Sequence, residues 1–140
     1  MSRTLLSIAA GAACLLAVAA RAETVKFHAA LNGAAEVPAK TTPGQGTVEA
    51  TLDTATKKLD YTGTYSGLTG PATAGHFHGP AEPGANAGVV LPWTMSTPGK
   101  VEGTATLTDA QMADLMAGKW YANMHTAANT SGEIRGQMKR

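Results

Sequence analysis

The chain has 140 residues, with 11 Lys+Arg against 10 Asp+Glu, a formal charge of +1 and a hydrophobic share of 44%. So even a balance gives no reason to expect nucleic acid or an anionic membrane as a partner. A single cysteine, Cys14, excludes an intrachain disulfide and a thiolate metal cluster.

The first 22 residues read as a secretory signal peptide. Arg3 supplies the positive start, residues 5–20 are apolar and uncharged, and Ala20-Arg21-Ala22 is a small-residue cleavage site. The run is shorter than the ~20 residues a membrane span needs. Gly11-Ala12-Ala13-Cys14 lacks the leucine expected three before a lipidated cysteine. Cleavage after Ala22 leaves residues 23–140 as a single domain with no membrane insertion. It removes Arg3, Arg21 and Cys14, turning the charge from +1 to −1. A periplasmic or secreted domain without disulfides depends on its core or on a metal, and its available ligands are His, Met, Asp and Glu.

From Glu23 onward the pattern has the period of β-strands. Residues 24–29 alternate, with Val25, Phe27 and Ala29 facing inward. Residues 31–46 form a loop marked by Val37-Pro38 and Pro43-Gly44. Strands at 47–53 and 59–65 form a hairpin, with Val48, Ala50 and Leu52 inward on the first and Leu59, Tyr61, Gly63 and Tyr65 sharing a face on the second. The block 69–79 holds a histidine pair and opens into a Pro- and Gly-rich loop, 80–88, that is neither helix nor central strand. A short apolar run at 89–91 and an alternating strand at 100–107 follow. One helix interrupts them: Thr108 and Gln111 form a capping box, Met112, Leu115 and Met116 make its apolar stripe, and Gly118 stops it. Strands at 121–126 and 133–138 close the chain. Seven to nine short strands at even spacing, with one short helix, predict an all-β Greek-key β-sandwich.

Gly75-His76-Phe77-His78-Gly79 is the stretch that carries chemistry. On a strand, His76 and His78 share a face and Phe77 takes the other, with the two histidine Cα atoms ~6.5 Å apart. Tyr121, Asn123 and His125 share a face in the same way. Should the two strands be neighbours, His76, His78 and His125 converge on one metal ion, with copper favoured as Cu(I) or Cu(II) and zinc the alternative. The competing reading is three solvated surface histidines. Candidates for a fourth ligand are Met95, the one methionine outside the core pattern, and His28, outward on the first strand. Glu133 is a candidate to orient an imidazole, and Arg135 to grip a loop carboxylate such as Glu82. The plainer reading of these two is a cross-strand ion pair. No nucleophile elbow, phosphate loop or zincin motif is present.

The stretch Leu31-Asn32-Gly33-Ala34-Ala35-Glu36-Val37-Pro38, the segment His76-Phe77-His78-Gly79-Pro80-Ala81, and residues 115–118, 121–126 and 132–137 together resemble the CHRD domain family. The resemblance spans essentially the whole chain after the signal peptide. It implies an extracytoplasmic immunoglobulin-like β-sandwich of the small exported microbial kind, with the family's motif histidines at His76, His78 and His125. Cu/Zn superoxide dismutase is similar in architecture only, since this chain has no disulfide and no second, zinc-binding residue set.

Three functions follow as expectations. The first is an exported copper-binding protein that buffers or delivers the ion to a protein donor or acceptor. The second is a protein-interaction module built on the loops 31–46 and 80–88, with structural histidines. The third is a copper redox enzyme of superoxide dismutase-like type.

Overall fold

The structure, a computed structural model, describes residues 21–140. The expected signal peptide, save Arg21 and Ala22, lies outside the described residues. The strands are β1 (Thr24–Asn32), β2 (Gln45–Asp53), β3 (Lys58–Ser66), β4 (Ala72–His78), β5 (Val89–Pro92), β6 (Lys100–Thr106), β7 (Tyr121–Thr126) and β8 (Ile134–Gln137). A 3₁₀ turn, Gly33–Ala35, follows β1, and the helix α1 (Asp109–Met116) precedes β7. The fold is all-β with one short helix, as the alternating pattern predicts.

All neighbours pair antiparallel, in the order β5-β4-β7-β8-β1-β2-β3-β6. The two layers of the sandwich are therefore halves of one curled sheet, continuous across β8 and β1 through Asn32↔Arg135 and the bridge His28↔Lys139. The curl brings Tyr61 of β3 edge-on to Phe77 of β4, with ring centroids 5.2 Å apart. Burial of apolar side chains between the halves drives that closure. Val25, Phe27, Ala29, Val48, Ala50 and Leu52 are all buried, as is Leu31, which belongs to β1 rather than to the loop expected there. In α1 both halves of the capping box are present: Gln111 N–H donates to Thr108 Oγ1 (3.1 Å) and Thr108 N–H to Gln111 Oε1 (2.9 Å).

The glycine before the histidine pair is required by the inner face. A Cβ on Gly75 would lie 2.4 Å from the Trp93 ring and 2.9 Å from Met124 Sδ. Trp93 packs on Phe77 at 5.1 Å, which fixes the depth of β4 in the core. Gly75→Ala is expected to lower stability by about 1–3 kcal/mol through overpacking. Urea denaturation should show a lower midpoint with an unchanged slope.

The sequence pattern did not reveal that β7 is buried on both faces. Every residue from Tyr121 to Thr126 is buried. Ala122 and Met124 face the core, and loops cover the face bearing Tyr121, Asn123 and His125. That covered face carries the chemistry.

Candidate metal centre

Strands β4 and β7 are adjacent, and their register sets His76 opposite Asn123, His78 opposite Tyr121 and Ala74 opposite His125. Alternation then puts His76, His78 and His125 on one face. Their ligand nitrogens lie within 4.8 Å of one another. His76 Nδ1 and His125 Nε2 are 3.1 Å apart. Two nitrogens bound to one tetrahedral ion at ~2.0–2.1 Å stand about 3.3 Å apart, so this edge already fits, and closing the wider gaps takes roughly 1.5 Å of side-chain motion at most.

The outer nitrogens of two rings are held by backbone. His125 Nδ1 lies 2.9 Å from the Thr130 carbonyl and His78 Nδ1 3.0 Å from the Ala87 carbonyl. A carbonyl only accepts, so each Nδ1 carries the proton; the His125 Nε2 lone pair then accepts from His76 Nδ1–H, while the His78 Nε2 lone pair meets no donor. His78 Nε2 is buried without a hydrogen-bond partner. Buried polar atoms are nearly always partnered; His78 Nε2 is an acceptor left bare beside two other imidazoles, and the indole donors Trp93 Nε1 and Trp120 Nε1 are bare in the core as well. His78 and His125 are 9% exposed, while His76 is more open and marks the solvent side.

The loop 80–88 braces this arrangement. Arg135 donates from Nη1 to Asn86 Oδ1 (2.9 Å) and from Nη2 to the Ala85 carbonyl (2.6 Å). Tyr121 Oη bonds both the N–H and the carbonyl of Ala87, and Gln137 Nε2 donates to the Ala81 carbonyl. Tyr121 stacks on His78 with rings 4.9 Å apart and 4° from parallel, and the Arg135 guanidinium lies 3.5 Å over the Tyr121 ring. Arg135 therefore supports the histidine face but grips loop carbonyl and amide groups instead of Glu82. Glu82 faces Lys119, 3.9 Å away.

Glu133 serves a different purpose from orienting an imidazole. Its carboxylate accepts from the hydroxyls of Thr42 (2.6 Å), Thr69 (2.8 Å) and Thr126 (2.6 Å) and from Thr69 N–H (2.8 Å). It precedes β8 and turns inward, so the strand alternation read from sequence does not extend to it. The fourth-ligand candidates also lie elsewhere. Met95 packs against the core and lines a groove of about 390 Å³ with Tyr65, Leu68 and Pro98. His28 is exposed on β1, three strand spacings or about 14 Å from the β4 row. Among the described residues the cluster is three histidines alone.

Glu36 is the residue that reading the sequence missed. The 3₁₀ turn, capped by Asn32 Oδ1 on Ala35 N–H (2.9 Å), delivers Glu36 onto Asn123, whose Nδ2 donates to Glu36 Oε1 and to the Ile134 carbonyl. Asn123 sits opposite His76 on the same face. The only signal was a lone acidic residue in the loop after Asn32-Gly33. Burial raises the Glu36 carboxyl to about 7, against the lowering effects of Asn123, Arg135 and Lys40.

Burial, then repulsion from His125 and His78, holds His76 below the ordinary histidine value. Burial does the same to His78, against the pull of the Ala87 carbonyl and with added repulsion from His125 and Arg135. Both rings therefore stay neutral, as ligands must be, to lower pH than a free imidazole.

These shifts have opposite consequences for stability. A histidine depressed in the folded state contributes fully above its unfolded value near 6.5, and that contribution is lost as pH falls. A carboxyl raised in the folded state contributes fully below its unfolded value of 4.5, and that contribution is lost as pH rises through about 7. Glu36→Gln is expected to remove the alkaline loss, on the order of 2–3 kcal/mol by about pH 8, and to change little at about pH 5. Melting temperature against pH for the two proteins is the check.

The fold and the cluster define an all-β domain that carries three converging imidazoles on a loop-covered face. The family model for the CHRD domain matches residues 27–138, and the chain belongs to that family, an extracellular-type domain. Neither a curated protein sequence nor a solved structure matches the chain. No helix of the described residues is long and apolar enough to cross a membrane.

Proposed function

We propose that this is a periplasmic or secreted metal-binding protein that holds one copper ion at His76, His78 and His125. The reading rests above all on His78 Nε2, a buried acceptor without a partner whose ring is fixed by the Ala87 carbonyl and the Tyr121 stack. Three neutral imidazoles suit copper or zinc. Bound there, copper would supply a one-electron couple and an open coordination position, while the chain's own residues bind and orient it. Binding, buffering or delivery of the ion suits a cluster that, among the described residues, is three histidines alone. The CHRD match and the small-residue cleavage pattern at Ala20-Arg21-Ala22 support an exported setting.

Copper titration with parallel thermal unfolding tests the reading. A ligand that binds only the folded state at 100 times its Kd adds ~2.7 kcal/mol. One-to-one binding with a rise in melting temperature is expected, and both should vanish when all three histidines are replaced by alanine. Equal binding by the triple variant would sink the proposal. Zinc serves as the competing ion.

A further inference from the structure

We infer that Arg135, acting through Tyr121, sets which oxidation state of copper the histidine site holds, favouring Cu(I) over Cu(II). The inference rests on the copper reading above and goes beyond it. Two flat groups at stacking distance cannot share one ring face, so Tyr121 lies between the guanidinium and the His78 ring. The Arg135 cation therefore stands behind a ligand at a distance set by one aromatic ring.

Arg135 is 2% exposed, and the groups it donates to, Asn86 Oδ1 and the Ala85 carbonyl, are uncharged. A buried cation ordinarily needs a carboxylate partner. The nearby acids do not fill that role. Glu133 accepts from three threonines, Glu82 faces Lys119, and Glu36 is hydrogen-bonded to Asn123 rather than to Arg135. With no carboxylate hydrogen-bonded to it, the Arg135 cation adds positive potential at a bound ion. Cu(II) carries one more positive charge than Cu(I) and is disfavoured by that much more. At ~10 Å in a protein medium, one unit of charge amounts to about a tenfold bias.

Arg135 is thus a tuning residue, and its role is separable from mere structure. The test measures Cu(I) and Cu(II) affinities by competition with a chelator for each ion. The ratio of the two is a reduction potential, in which a tenfold change is ~59 mV for one electron. Arg135→Gln should lower the Cu(I)/Cu(II) affinity ratio about tenfold, whereas Arg135→Lys, which keeps the charge and loses the planar fork, should leave it within about threefold. Should Arg135→Gln fail to fold, Asn86→Asp replaces an acceptor of Arg135 by an isosteric carboxylate, cancels the cation in place and should lower the ratio similarly. The inference is overturned if the neutralising variant binds copper with an unchanged ratio, or if Arg135→Lys shifts it as far as Arg135→Gln. Failure of the wild type to bind either ion would instead remove the copper reading itself.

Discussion

Glu133→Ala is expected to destabilise the protein by about 3–5 kcal/mol and to lower its melting temperature by more than about 10 °C. The carboxylate is fully buried and accepts four hydrogen bonds from three separate segments: Thr42 in the loop before β2, Thr69 before β4 and Thr126 at the end of β7. Truncation would leave those donors in a dry environment with nothing to bond. Burial alone would raise the Glu133 carboxyl, but the Thr126, Thr42 and Thr69 donors outweigh it and bring it down to about 2. With a folded value below the unfolded 4.5, its contribution is full above 4.5 and is lost as pH falls toward 2. The wild type should therefore lose stability steeply in acid. Chemical denaturation of the variant across that range should show a flatter acid limb.

The second large effect separates binding from stability. His78→Phe keeps a ring to stack on Tyr121 and removes the buried Nε2 that has no partner. The Ala87 carbonyl it abandons retains Tyr121 Oη at 3.2 Å. An unsatisfied buried polar atom costs about 1–3 kcal/mol. Without metal, the variant should match or exceed the wild type in melting temperature, by up to roughly 4 °C. Its affinity for copper should fall at least about 100-fold, more than is typical for loss of an outer partner of a metal ligand. Scanning calorimetry with and without copper reads both quantities. A variant that is less stable without metal yet still gains from copper would show the ring to be structural.

The same trade runs through the whole covered face. Asn123, Arg135, Tyr121 and Glu36 are polar groups buried under loops and satisfied by specific partners, an arrangement that orients groups at some cost relative to an apolar core. Loop 80–88 follows from this. Its residues Ala81, Ala85, Asn86 and Ala87 supply the carbonyls and amides that hold Gln137, Arg135, Tyr121 and His78 in place.

Local sequence determined a good deal by itself. Period-two alternation fixed the inner faces of β1, β2 and β3, because burial on one face of a strand leaves a pattern that no helix shares. The Thr108–Gln111 capping box fixed the start of α1, since the cap is made entirely within four residues. The same alternation placed His76 with His78, and Tyr121 with Asn123 and His125. Only the tertiary structure decided that β4 lies beside β7, a long-range pairing whose members His76 and His125 are 49 residues apart. That adjacency turns two histidine segments into one cluster. It also decided that Glu133 turns inward to three threonines and that Glu36 reaches Asn123. Their partners lie between 7 and 91 residues away along the chain, and no local pattern encodes a contact at the longer of those separations.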